Sequence, residues 1–508
     1  MKKVVYLPLD DRPCNYVFPN KLFNTDLLNI DLIDKEKIGS RKNAGNHDEI
    51  SSWLMDSIKN ADALVLSIDM LVYGGLVPAR IHNHSLDVLL KRLEIIKEIK
   101  SINPKLIIYG FSLIMRCPNY NTSYAEMPYY GEYGKSIHHY GQIKHKKMIS
   151  LETKEELQEL ENINIPDKFL NDFKSRREKN LEINLKCIDY IEKGFLDFLV
   201  IPQDDSSEYG WTSMDQEQIW NRISDKSLMT KVYMYPGADE LGMTLMARYY
   251  NEINNLRPKI LIKYPSITSG QIIPNIEDRF LDTMVKYHIS VVRGIVVNSL
   301  EEADAVLFIN APADRMLSRL SYQRPGRGMT ANRNMVEVFD FLEYARNEKQ
   351  KEIIIADVAY GNGSDLEVYK FLEQKNMLFN IAAYAGWNTA SNTVGSAISQ
   401  GVKAIHSNKK LSDLEFLILR YIDDIAYTGY VRQELNNIIR SEFKSISYDD
   451  IGDNNNQILL LANNLMCSFL EKNMSSLYGM VDFKKISFPW NRLYEADFSF
   501  EIKNEFRI

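Results

Sequence analysis

Three pairs of adjacent acids stand just beyond apolar runs in this chain. Asp10-Asp11 follow VVYLPL, Asp204-Asp205 follow DFLVIP, and Asp239-Glu240 follow KVYMYP by two residues. Neighbouring carboxylates repel, so such pairs are tolerated where they meet an arginine, a metal ion or a substrate. Arg12 adjoins the first pair, Arg116 follows the run KLIIYGF, and single aspartates, Asp69 and Asp357, end two further runs; Arg80 follows Asp69 after Tyr73-Gly74-Gly75. Rings and amides lie close to these endings: Tyr73, Tyr209, Trp211, Tyr235, Tyr360 and Trp387-Asn388. Rings cover apolar faces while presenting polar edges. Together with carboxylates that accept hydroxyls, they make a wall suited to a polyhydroxylated small molecule, a sugar above all.

Cleavage of a glycosidic bond needs one carboxylic acid to protonate the leaving oxygen and a second carboxylate as base or nucleophile. Asp204, Asp205 and Glu240 are the candidates, because apolar residues behind them raise the pKa of one member of a pair. Asp10, Asp11, Arg12, Asp69, Arg116, Trp211, Asp239, Asp357, Trp387 and Asn388 are the candidate substrate-binding residues. No organic cofactor and no specific metal ligands are expected. A divalent cation such as Mg²⁺ or Mn²⁺ enters through the alternative reading, a metal-dependent hydrolase or phosphoryl-transfer enzyme, since clustered aspartates without neighbouring histidines suit hard cations. A third reading is a non-catalytic carbohydrate-binding protein. The chain lacks HExxH, GxSxG and GxxxxGK[ST]. Cys14, after DDRP, reads as an inert, buried neighbour of the site.

Each ending also has a local explanation. Asp239 and Glu240 open a helix whose free N–H groups favour carboxylates. Asn362-Gly363 is a turn pair, and Thr212 or Ser213 with Gln216 resembles a capping box.

The elements that must position these residues are continuous apolar runs, the pattern of strands buried on both faces of a parallel sheet. They span 4–9, 63–68, 105–111, 197–202, 231–236, 304–310, 352–357 and 379–385. Helical patterns alternate with them: Ile50, Trp53, Leu54 and Ile58 share one face, as do Leu86, Leu89, Leu90, Leu93, Ile96 and Ile99. The expected fold is α/β, with mainly parallel sheets and flanking helices in two doubly wound units, the alternative being a (β/α)₈-like barrel. KNADALVLSIDM (59–70) is echoed by EEADAVLFINAP (301–312). The expected division is 1–270 with a helical insertion near 145–195, then 271–410, then a C-terminal helical region with closing strands over 411–508. In parallel sheets ligands bind beyond the carboxyl ends of the strands, which is where the acids fall. An arginine-rich loop, 311–334, carries Arg315, Arg319, Arg324 and Arg327.

With 508 residues, 45% hydrophobic and 25% charged, the composition is that of a globular protein of more than one domain. A net charge of −7 gives no encouragement to nucleic-acid or anionic-membrane partners. No stretch approaches the roughly 18 apolar residues of a membrane span, and the N-terminal apolar run is too short for a signal peptide. Four widely spaced cysteines without CxxC indicate a reduced, cytoplasmic setting.

The stretches YLPLDDRPCNYVFP, DMLVYGGLVPAR, IPQDDSSEYGWTSMDQ, YPGADELGMTLMAR, AYAGWNTASNTVGSA and FPWNRLYEADFSF, in this order, resemble the bacterial domain-of-unknown-function family numbered 4127. The resemblance covers nearly the whole chain. It implies a link to carbohydrate utilisation and specifies no activity.

Overall fold

The computed structural model describes residues 1–321, 324–405, 410–443, 446–452 and 455–503. Residues 322–323 of the arginine-rich loop lie outside the described residues. Two compact units emerge. The first comprises 1–11, 24–242 and 276–279, the second 12–23, 243–275 and 280–508. The chain therefore divides otherwise than into 1–270, 271–410 and 411–508. The first boundary falls near 242, and the C-terminal helices belong to the second unit.

The first unit is built on six parallel strands: β1 (Lys2–Leu7), β2 (Leu28–Leu32), β3 (Ala63–Ser67), β4 (Ile107–Phe111), β5 (Phe198–Val200) and β6 (Val232–Tyr233), in the order β2-β1-β3-β4-β5-β6. Val4, Val5, Tyr6 and Leu7 are fully buried, as a doubly covered sheet requires. The helix His47–Ser57 buries Ile50 and Leu54 and is capped by Asn46, whose side chain accepts from the N–H groups of Asp48 and Glu49. Leu89, Leu93, Ile96 and Ile99 are buried on the helices Leu86–Leu93 and Ile95–Ile102. The expected insertion is a set of helices, Tyr130–Met148, Lys154–Asn162 and the 26-residue Asp167–Glu192. A capping box formed by Thr153 and Glu156 opens the second.

The second unit repeats the topology with β7 (Lys259–Lys263), β8 (Ile295–Val297), β9 (Ala305–Asn310), β10 (Glu352–Asp357) and β11 (Ala383–Ala385), in the order β8-β7-β9-β10-β11. Both sheets are open, and no closed barrel forms among the described residues. All eight expected strands are present, with β2, β7 and β8 in addition.

The echoed segments occupy equivalent places, since each leads into the third strand of its unit. In the first unit Asp62 donates its N–H to Lys3 O (2.9 Å) and its carboxylate accepts from Lys3 N (2.8 Å). In the second Asp304 donates to Lys259 O (2.8 Å) and accepts from Lys259 N (2.8 Å). Each aspartate thus locks the third strand in register with the first: Ala63 faces Val4, and Ala305 faces Ile260.

The C-terminal part of the second unit is helical, as expected, but Tyr421–Val431 is a π-helix between the α-helices Leu411–Arg420 and Arg432–Glu442. Tyr421, Ile425 and Tyr427 share one buried cluster with Val306, Phe308, Ile353 and Ile355 of the sheet, which is why this region is no separate domain. Strands β12 (Val481–Ser487) and β13 (Asp497–Ile502) close the chain as an antiparallel ribbon. The closing strands expected within 411–508 are these two. No helix among the described residues is long and apolar enough to cross a membrane.

Candidate functional site

In a sheet ordered 2-1-3-4-5 the crevice for ligands opens beyond the carboxyl ends of the strands, beside the point where chain order reverses. The first unit places its charged cluster beyond the carboxyl ends of β3, β4 and β5, on the β3 side of that reversal. Asp69 lies on the short helix Ile68–Tyr73 directly after β3. That helix is stopped by Gly74, left-handed at φ 88°, whose N–H returns to Met70 O. Arg80 follows on the next turn, Arg116 comes from the loop after β4, and Asp204 and Asp205 from the loop after β5.

These side chains form one network. Arg80 donates to Asp204 Oδ2 (2.6 Å) and Glu126 Oε1 (3.3 Å), and Arg116 donates to the same Glu126 oxygen (2.7 Å) and to Asp205 Oδ2 (2.9 Å). Asp69 Oδ2 accepts from Leu113 N (2.9 Å). Burial pushes the Asp69 carboxyl up to about 7, against the Leu113 N–H and Arg80, which favour its charge. Asp205 is raised to about 6, again chiefly by burial, which Arg116 opposes and Asp204 reinforces. Burial works against the charge of Arg116, but Glu126 and Asp205 outweigh it and hold the guanidinium protonated. Asp205 sits at φ 42°, a strained conformation for a non-glycine residue. Asp69, Arg80, Arg116 and Asp204 line a cavity of about 10 Å³, room for one water molecule.

The long helix Asp167–Glu192 holds the Arg116 loop in place. Asn180 accepts from Met115 N (2.9 Å) and donates to Leu113 O (3.0 Å), Arg177 donates to Met115 O (2.6 Å) and Asp215 Oδ2 (2.5 Å), and Ser112 Oγ donates to Asn184 Oδ1 (2.6 Å). Residues 177, 180 and 184 share one helical face. Their spacing, polar residues at i, i+3 and i+7 beside core positions Leu181 and Ile188, is the signal through which a sequence reading finds them. Glu126, from an irregular loop, carries no such signal.

Of the expected residues, Asp69, Arg116, Asp204 and Asp205 come together here, and Glu240 does not line this cavity. The Glu240 side chain, fully buried, folds back over Gly237 (φ 158°) and accepts from Ala238 N (2.9 Å), closing the turn before the helix Leu241–Ile253. Asp239 is buried in the same turn. Trp211 is a core residue: its Nε1 donates to Ile137 O (2.9 Å) and its ring packs between Tyr140 and Phe173. Asp10 and Asp11, both buried, end the first segment of this unit, and Arg12 opens the first segment of the other.

The second unit gathers Arg12, Trp387 and Asn388 around a cavity of about 30 Å³, completed by Thr428, Arg432 and Tyr494. Cys14 also lines it, buried as expected. Asn388 is left-handed (φ 50°) and accepts from Tyr494 OH (2.5 Å), which also bonds Asn362 Oδ1 (2.9 Å). Beneath lies a buried scaffold. Asp357 accepts from Asn310 Nδ2 (2.8 Å), Tyr384 OH (2.9 Å) and Asp365 N (2.7 Å); burial, with Asp365 nearby, raises its carboxyl to about 7. Asp357 is thus a framework residue. Asp424, raised by burial to about 8, accepts from Gly386 N (2.8 Å) and pairs with Arg420 (2.8 Å). Among the described residues no group of three or more His, Cys, Asp or Glu is arranged to hold a metal ion.

The molecule is a two-unit α/β protein with parallel doubly wound sheets and a polar cavity at the strand ends of each unit. It belongs to the family described as protein of unknown function (DUF4127), whose model matches residues 4–499. No curated protein matches the chain. Among solved structures, the carboxyl transferase domain of Rhizobium etli pyruvate carboxylase, determined with 3-bromopyruvate, aligns at 10% identity over 93% of this chain, with a TM-score of 0.19. The chain spans 60% of that chain's length. At that TM-score the likeness carries no argument.

Proposed function

We propose that the first unit is a carboxylate-based hydrolase, glycoside hydrolase-like, acting on a small polyhydroxylated substrate. The observation that carries the reading is the contrast between two carboxylates at one cavity. Asp69 stays protonated to about pH 7, while Asp204 is clamped by Arg80 at 2.6 Å. A carboxyl kept protonated by burial beside a carboxylate paired with an arginine supplies an acid and a base. Asp69 donates its proton to the departing oxygen, and Asp204 with Asp205 accepts the proton of a water seated in the cavity. Arg80 and Arg116 orient the carboxylates. They also occupy oxygens that a divalent cation would need, which favours this reading over the metal-dependent one. All four cysteines are free thiols, in keeping with a cytoplasmic setting.

The test is a panel of nitrophenyl glycosides assayed with wild type, Asp69→Asn, Asp204→Asn and Asp205→Asn. Removal of a proton-transfer group costs about 10²- to 10⁴-fold, with the circular dichroism spectrum unchanged. Wild type inert across the panel sinks the sugar assignment, and full activity in all three variants sinks the catalytic one.

A further inference from the structure

The cavity of the second unit shares no lining residue with the first and plays no part in the proposed hydrolysis. Its charges are unevenly matched. Asp423 and Glu495, the acids on its wall, are each neutralised from within the protein. Asp423 pairs with Arg420 and accepts from Thr428 Oγ1 (3.3 Å), and both oxygens of Glu495 accept from Arg492 Nε (2.8 Å each). Arg432 is different. It is 2% exposed, yet its Nη atoms donate only to the carbonyls of Tyr494 (2.7 Å), Asn362 (2.6 Å) and Thr428 (3.3 Å). No carboxylate among the described residues lies within ion-pair distance of it, and its Nε has no hydrogen-bond partner. Asp423 attracts it from beyond ion-pair distance but is itself paired with Arg420, so this buried guanidinium has no counter-ion in direct contact, as buried ions ordinarily do.

The local backbone is arranged to present this group. Eleven residues of π-helix, a geometry frequent at functional sites, carry Asp423 and Thr428 to the cavity wall and deliver Arg432 at their end. Arg12 stands on the same wall with its guanidinium over the Trp490 ring at 4.8 Å. Asn388, Thr428 and Tyr494 add polar groups, and Trp387 adds an apolar face.

We propose that the second unit holds a separate binding site for a small monocarboxylate, whose anionic group sits against Arg432 and Arg12 in this cavity. The volume, about 30 Å³, holds about two waters. The two carboxylate oxygens take the places of two waters, and a single negative charge matches the one guanidinium without a counter-ion in contact, whereas phosphate, close to doubly charged at neutral pH, leaves excess charge buried. Asn388 and Thr428 are placed to recognise a hydroxyl on the adjoining carbon, so a 2-hydroxy acid binds more tightly than the plain acid.

Acetate, glycolate, phosphate and chloride are titrated into the full-length protein at matched ionic strength, with thermal unfolding as readout. A ligand bound only by the folded state raises the midpoint saturably. Acetate and glycolate are expected to do so, glycolate at lower concentration, while phosphate and chloride have no saturable effect. Arg432→Gln keeps donors for the carbonyls but loses the charge, and abolishes the shift. Asn388→Gly preserves the left-handed backbone, removes the amide and weakens glycolate binding about tenfold; it serves as the readout should Arg432→Gln fail to fold. Asp205→Asn, in the other unit, leaves the titration unchanged. The proposal is overturned by a wild type with no carboxylate-specific shift, by preference for phosphate, or by a glycolate shift that persists unaltered in Asn388→Gly.

Discussion

Replacing Asp69 by asparagine separates the energetic cost of this residue from its chemical use. The carboxyl is 1% exposed and titrates near 7 in the folded chain against an ordinary value of 3.8. At ~1.4 kcal/mol for each tenfold difference in proton affinity, the two states differ by about 4 kcal/mol. The sign follows from proton counts. Below about pH 4 both folded and unfolded chains hold the proton, and Asp69 contributes no pH dependence. From about pH 4 to about pH 7 the unfolded chain ionises while the folded one stays protonated, so stability falls as pH rises; above about pH 7 the loss is complete. An asparagine in its place does not titrate, and the amide oxygen still accepts from Leu113 N. The stability of Asp69→Asn relative to wild type is therefore expected to climb by about 4 kcal/mol between pH 4 and pH 8. Hydrogen exchange of peptides covering β3 and β4, measured across this range, reports the first unit separately from the second. A flat difference, or one that falls with pH, refutes the burial account of Asp69. Activity is expected to move oppositely at pH 7, with the more stable variant the less active, as befits a group kept at a cost for its chemistry.

Single contacts give the other predictions. Glu240→Gln keeps an acceptor for Ala238 N–H, so turnover is unchanged, and Glu240→Ala loses about 1 kcal/mol of stability; a loss of turnover in the Gln variant like that of Asp205→Asn returns Glu240 to the catalytic set. Arg80→Met strands Asp204 and part of Glu126 in a buried site and costs about 3–5 kcal/mol by chemical denaturation. Gly141→Ala puts a methyl into the Trp211 ring and costs about 1–3 kcal/mol, whereas Gly194→Ala, where no atom lies within 4 Å but φ is 72°, tests backbone strain alone.

The strands were legible where the physics of parallel sheets writes them plainly. β1, β3, β9 and β10 are covered on both faces and read as unbroken apolar runs. β2 and β8 lie at sheet edges, and β8 is three half-buried residues. β7 is half-buried along most of its length, so none of the three presents a continuous run. The rule that polar groups gather at strand ends picked out Asp69, Arg116, Asp204 and Asp205, which the fold brings into one cluster. Glu240 and Trp211 lie apart from it, because a carboxylate before a helix and a ring within its first turn have local uses that look the same in sequence. Arg432 escaped notice for another reason: only the π-helical turn brings it to the cavity, and helical periodicity does not reveal that winding.

The duplicated register lock explains how one chain comes to carry two different cavities. Asp62 and Asp304 fix the third strand against the first by the same pair of hydrogen bonds, so both sheets open their crevices at equivalent strand ends. Beyond the third strand the two units diverge. In the first unit the chain continues as Ile68-Asp69, which brings a buried acid to the cluster; in the second it continues as Ala311-Pro312, which brings none. The fourth strand diverges in the opposite sense. β4 runs on to Arg116, whose charge meets Glu126 and Asp205, while β10 ends in Asp357, consumed by Asn310, Tyr384 and the Asp365 amide. With Asp357 committed to the framework, the second cavity is lined instead by Arg12 and Arg432, beside Asp423 and Glu495, which are ion-paired to Arg420 and Arg492. That difference in lining is the reason an anion is proposed for the second cavity and proton transfer for the first.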